Sequence, residues 1–167
     1  MTIDEINALE QAEFIDRFGS IYEHSPWVAE AAVMARPFLD AAQLISKMDT
    51  IVNAATNDQK LTLLRAHPEL AGKAAIDGTL TNASKEEQAS AGLDRMLPSE
   101  FDALTSMNAA YNERFGFPFI ICVKLTDKAG ILEALRARLD NSRDAEFHTA
   151  LEEVAKIAQL RLEGMMS

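Results

Sequence analysis

Apolar residues recur every three to four positions along almost the whole chain, which is the spacing of amphipathic helices rather than strands. The stretch PFLDAAQLISKMDTIVNAA is typical: Phe38, Ala41, Leu44, Ile45, Met48, Ile51 and Val52 fall on one stripe that has to be buried. A first helical segment covers residues 3 to 18, with a break near Leu9 and a stop at Gly19. Ser25 followed by Pro26 reads as an N-cap with proline in the first turn, opening PWVAEAAVMAR, which Pro37 ends. Thr56 and Gln59 form a capping box before KLTLLRA, and that helix has to finish near His67, because Pro68 disfavours the α conformation in the residue before it.

A Gly-, Thr-, Asp- and Asn-containing loop, AAIDGTLTNAS, leads to KEEQASAGLDRML. Pro98 opens SEFDALTSMNAAYNERF, Thr126 and Asp127 begin KAGILEALRARL, and the chain closes on RDAEFHTALEEVAKIAQLRLEGMM. The exception is FGFPFIICV, which is apolar without helical period and predicts a short extended segment near 115–123. The expectation is an all-α fold: one domain over residues 1–167, built as a bundle of about seven to nine helices.

Composition narrows the function. The 167 residues carry 26 acids against 16 bases, a formal charge of -10, and that field repels a polyanion, so nucleic acid is not expected as a partner. The one cysteine, Cys122, lies within FIICV and reads as a small buried hydrophobe, which fits a reducing compartment. The N-terminus has no cationic leader and no apolar run is long enough for a membrane helix, so the expected location is the cytoplasm, away from membranes. Among His24, His67 and His148 no two stand four apart, and there is no cysteine pair, which argues against a metal site.

Four features carry possible chemistry. His67 sits at a helix C-terminus, where exposed carbonyls favour an imidazolium, and Pro68 fixes the direction in which the chain leaves. The same placement also suits a histidine that only satisfies loose carbonyls. Ser84 and Glu87 form S-x-x-E, read as an N-cap with its N3 acid. Ser84, Glu87, Gln88, Ala91 and Arg95 share a stripe that on pattern alone faces water, although a helix N-terminus equally serves a binding pocket. The extended FGFPFIICV run has backbone N–H and C=O groups that need partners, and a flat hydrogen-bonding heterocycle is one suitable recipient. Arg161 continues the apolar row Ala150, Val154, Ile157, where a cation either snorkels to solvent or meets a buried anion or carbonyl.

Taken together and in this order, HPELAGK, SKEEQASAGL, NAAYNERFGFPFI and the late RL make the chain resemble the 2-oxo-4-hydroxy-4-carboxy-5-ureidoimidazoline (OHCU) decarboxylase family over nearly its full length. The resemblance implies an all-helical homodimer that converts the small-molecule substrate OHCU to (S)-allantoin in urate catabolism, with no metal and no organic cofactor. It implies His67 as the catalytic histidine and Glu87 as its acidic partner. Pro68, Ser84 and Gln88 would line the pocket, main-chain groups of Phe119, Ile120 and Ile121 would bond the ring or ureido group, and Arg161 would meet a carbonyl or carboxylate. KLTDKAG stands where a more basic loop is expected, a departure at the pocket rim. Two other readings compete: a non-catalytic helical interaction module, and a cofactor-free lyase or hydrolase acting on a related ureide.

Overall fold

A computed structural model describes residues 1–166, and among them there are ten α-helices, two 3-10 turns and no strand. The all-α expectation holds. Three of the ten, α1 (Ile3–Ala8), α3 (Trp27–Ala32) and α6 (Lys73–Asp77), have six residues or fewer; they arise where the sequence reads as turn or as one longer helix.

The helices sort into two compact units, one of residues 1–66 with the chain from Ala155 onward, the other His67–Val154. The first contains α1, α2 (Gln11–Phe18), α3, α4 (Ala41–Ala54), α5 (Asn57–Ala66) and the last turns of α10 (Arg143–Met165). Leu9 is extended and its N–H donates to the Ile6 carbonyl, which closes α1 and breaks the first segment where the pattern predicts. Asn7 then holds the chain beyond α3 by donating Nδ2 to the Phe38 carbonyl and accepting the Phe38 N–H, both at 2.8 Å. Asp40 caps α4 through the Gln43 N–H, and the expected stripe faces inward, with Leu44, Met48 and Val52 fully buried. Thr56 and Gln59 exchange the two bonds of a capping box, at 3.2 and 3.0 Å.

The cap predicted at Ser25 is not made. The Ser25 hydroxyl is buried and donates back to the Glu23 carbonyl at 2.9 Å, so α3 starts at Trp27 without a side-chain cap. Local back-bonding of this kind competes with capping for short hydroxyl side chains.

The second unit contains α6, α7 (Asn82–Ser90), α8 (Pro98–Phe115), α9 (Lys128–Arg138) and the first turns of α10. Pro98 is the first residue of α8, and Gly116, at φ 77, ends it with its N–H on the Asn112 carbonyl. Past Gly116 the chain is irregular as far as Cys122, and Phe117, Phe119, Ile120 and Cys122 along it are buried. The Tyr111 ring anchors this run, with centroids 4.5 Å from Phe115 and 5.4 Å from Phe119.

Candidate active site

The helix that carries the S-x-x-E motif begins one turn earlier than its sequence suggests. Thr81, not Ser84, is the N-cap: its hydroxyl accepts the Ser84 N–H at 3.3 Å, and the helix runs from Asn82. Ser84 therefore stands at N3 and Glu87 well inside the helix. The expectation that the polar stripe faces water is overturned with it. Ser84, Glu87 and Gln88 are all buried, while Lys85 and Glu86 on the other side are exposed. A helix that turns its carboxylate, amide and hydroxyl inward contradicts the usual binary pattern. Such groups stay buried only where hydrogen bonds or a ligand meet them.

Gln88 faces the segment that follows α5. Gln88 accepts the Ala71 N–H on Oε1 at 2.9 Å, so this face of α7 lies against HPELA. His67, at the head of that segment, is itself buried, with Pro68 half-buried beside it. His67, Ser84, Glu87 and Gln88 are thus all buried polar residues of the second unit, and the Gln88–Ala71 bond ties α7 to the His67 segment. Asn108 of α8 holds the same segment by donating Nδ2 to the Leu70 carbonyl at 3.0 Å. It lies in the NAAY part of the motif, but its pattern signal was only a polar residue on a helix.

The irregular 119–121 segment is held from outside by charged side chains. Arg138 donates Nη1 to the Ile120 carbonyl at 2.7 Å and stacks its guanidinium 4.5 Å from the Phe119 ring centroid. Its Nε donates to Glu146 Oε2 at 2.9 Å; Nη2 stands 2.9 Å from the same oxygen, in ion-pair range but off the hydrogen-bond line. Glu146 is fully buried and also accepts from the Tyr111 hydroxyl at 2.5 Å and from Asn141 Nδ2 at 2.8 Å. Burial raises the Tyr111 pKa well above the usual tyrosine value; the bond to Glu146 adds to the rise and the Arg138 charge opposes it. Cys122 N–H, at the end of the segment, donates to Glu153 Oε2 at 2.8 Å. Sequence reasoning predicted that these backbone groups needed partners but did not find Arg138, Glu146 or Glu153. All three lie on helices where charge reads as solvated surface.

In the first unit Arg161 is aimed inward and meets both kinds of partner expected of it. Nη1 lies 2.8 Å from Glu23 Oε2 and 3.3 Å from the Ile21 carbonyl. Glu23 was not legible as its partner, because it lies in an irregular turn 138 positions away.

Two cavities lie within single units. One, of about 640 Å³, is lined in the second unit by Ala71, Lys85, Gln88, Leu93 and Phe101 among others. Neither His67 nor Glu87 lines it, so it is not a hollow those two share. The other, of about 570 Å³ in the first unit, includes Tyr22, Asp49 and Lys156 in its wall. Among the described residues no three His, Cys, Asp or Glu side chains cluster as a metal site requires.

Comparison with known proteins agrees with the motifs. The sequence profile of the OHCU decarboxylase family matches residues 7–163. The chain is 45% identical over 162 residues to the 2-oxo-4-hydroxy-4-carboxy-5-ureidoimidazoline decarboxylase of Haloferax volcanii, covering 97% of this chain and 94% of that one. The enzyme of the same name from Xenopus laevis is 37% identical, with 97% and 93% covered. Among solved structures, that of (S)-allantoin synthase superimposes with a TM-score of 0.81 at 34% identity; it covers 99% of this chain, which spans 54% of the synthase chain. An OHCU decarboxylase crystallised in the presence of (S)-allantoin gives a TM-score of 0.72 at 25% identity, covering 90% of this chain and 96% of that one. Profile, relatives and fold converge on one conclusion: the chain belongs to the OHCU decarboxylase family.

Proposed function

We propose that the protein decarboxylates 2-oxo-4-hydroxy-4-carboxy-5-ureidoimidazoline to (S)-allantoin in urate catabolism. The observation that carries the reading within the structure is the buried polar face of α7 turned onto the His67 segment, with Gln88 bonded to Ala71. Burying a carboxylate there costs stability unless hydrogen bonds or a ligand meet it.

Loss of CO2 leaves an electron pair on carbon. In this substrate the conjugated C=N of the ring accepts that pair, so neither a metal nor an organic cofactor is called for. The enol-like product then takes a proton on one face, which sets the S configuration. His67 and Glu87 are the two groups proposed to manage protons, on the C4 hydroxyl and on the ring. Pro68, Ser84, Gln88, the main chain of Phe119, Ile120 and Ile121, and Arg161 bind the heterocycle and hold the C–CO2 bond perpendicular to the π system. Positioned acid–base help is typically worth about 100- to 10,000-fold, and donors aimed at developing charge contribute comparably.

The family profile spans both compact units, which supports a single decarboxylase domain over residues 1–167. The protein is proposed to work as a homodimer in the cytoplasm; sedimentation velocity reads the first and fractionation of the native cell the second. Catalysis is tested by generating OHCU from urate with urate oxidase and hydroxyisourate hydrolase, adding the protein, and following the circular dichroism of (S)-allantoin. A rate equal to the spontaneous one ends the proposal.

A further inference from the structure

One peptide group in the His67 segment is gripped at both ends. The Leu70 carbonyl accepts from Asn108 Nδ2 at 3.0 Å, and the N–H of the next residue, Ala71, donates to Gln88 Oε1 at 2.9 Å. These two atoms belong to the same Leu70–Ala71 peptide plane. The grips come from different helices, α8 and α7, and both side chains are buried. The plane leads directly into strain, because Ala71 has φ 50, in the left-handed region that a residue with a Cβ rarely enters. Such a conformation persists only where its surroundings over-determine it.

The two grips supply that determination. If the peptide plane rotated so that Ala71 relaxed to negative φ, its carbonyl would turn toward the Gln88 oxygen and its N–H toward the Asn108 amide hydrogens. Both contacts would become repulsive. Asn108 is held for this donor: its other polar atom, Oδ1, is buried and makes no hydrogen bond. Three residues upstream stands His67, tied to the same short segment through Pro68.

We propose that Asn108 is a positioning residue for His67: with Gln88 it locks the Leu70–Ala71 peptide and so fixes the backbone from which the imidazole is presented. The inference rests on the decarboxylase reading. It also gives Gln88 two tasks, since Oε1 is committed to Ala71 and Nε2 is the group left for the substrate.

The test is a set of variants, N108L, A71G and N108L/A71G, assayed for OHCU turnover and for amide hydrogen exchange. N108L lowers kcat by roughly 10- to 100-fold, as expected for a displaced catalytic group, with KM little changed and helix content retained. It also accelerates exchange at the Ala71 N–H while the interior of α8 stays protected. Adding A71G restores much of kcat, because glycine adopts positive φ without the lock. N108D sets a carboxylate oxygen against the Leu70 carbonyl and is the second route to the same loss should the leucine variant fail to fold. Normal kcat per folded molecule in N108L or N108D, or no recovery with A71G, overturns the proposal. If the wild type itself does not turn over OHCU, the decarboxylase reading falls; the lock is then judged by exchange at Ala71 alone, and an unchanged rate there overturns it.

Discussion

Arg161 and Glu23 form a buried ion pair: Nη1 lies 2.8 Å from Oε2, with the side chains 7% and 2% exposed. Removing one member of such a pair leaves a charge in the interior and costs about 3–5 kcal/mol, whereas an apolar pair of similar volume is often neutral. Glu23→Ala is therefore expected to destabilise strongly, and the E23L/R161M double variant to recover most of the loss in urea unfolding. The proposed substrate contact separates from this. The double variant, though stable, should have a raised KM for OHCU. A normal KM in a stably folded double variant would remove Arg161 from the binding set.

Both tyrosines of the chain have pKa values shifted upward. Burial is the main cause in each case; the negative charge of Asp49 adds to it at Tyr22 and the bond to Glu146 at Tyr111. The unfolded chain releases these protons near the ordinary value of about 10, while the folded chain keeps them. The folded state therefore binds more protons above that pH, and stability is full below about pH 10 and falls as pH rises toward the folded values. Tyrosinate absorbance should stay flat through pH 10 in the native protein and rise there for both residues in denaturant. Tyr111→Phe should flatten part of the alkaline loss of stability. A native titration centred at 10 would contradict the burial argument.

Much of the fold was legible because it is written in local chemistry. Pro98 at the start of α8, Gly116 at its end, the Thr56–Gln59 box and the Leu9 break all follow from a few neighbouring residues. Ser84 shows where local reading fails. S-x-x-E is a good capping pattern, yet Thr81 three residues earlier supplies an equally good hydroxyl and takes the role. The polar residues at 84, 87 and 88 face inward, and no periodicity of polarity announces that. The partners of the site were illegible for a different reason. Glu23 and Glu146 are single acids in a chain with 26 of them, and only the tertiary fold tells buried from solvated.

The Thr81 cap makes a clean distinction between helix stability and ligand binding. Thr81→Ala removes the side-chain acceptor and should cost about 1 kcal/mol, read as a lower thermal midpoint with kcat per folded molecule unchanged. Ser84→Ala leaves that cap in place and should instead raise KM. If Ser84→Ala costs only stability and leaves KM alone, the serine belongs to the scaffold.

The Arg138–Glu146 cluster offers the same separation for the backbone of 119–121. Arg138→Met alone strands a fully buried carboxylate and should lose about 3–5 kcal/mol. The triple variant Y111F/R138M/E146L removes every charge of the central pair and should recover much of that. It still lacks the Nη1 bond to the Ile120 carbonyl, so a raised KM is expected to persist. Full recovery of both stability and KM would show that the segment needs no anchor there to bind substrate.

The sharpest test concerns His67 and Glu87, because both are buried polar groups and burial alone does not distinguish catalysis from architecture. Asparagine at position 67 keeps much of the volume and a hydrogen-bonding group but cannot exchange a proton near neutral pH. His67→Asn should therefore cut turnover by about 100-fold or more with helix content unchanged. Glu87→Gln keeps the shape and removes the charge. A catalytic Glu87 predicts a fall in kcat in a protein of near-normal stability, whereas a structural one predicts a lower unfolding midpoint with normal turnover per folded molecule. The combination of the two substitutions decides whether they act as a unit. Groups that share one proton-transfer step are grossly non-additive, so the double variant should be little worse than the poorer single one. Multiplicative losses would mean that the imidazole and the carboxylate serve separate steps.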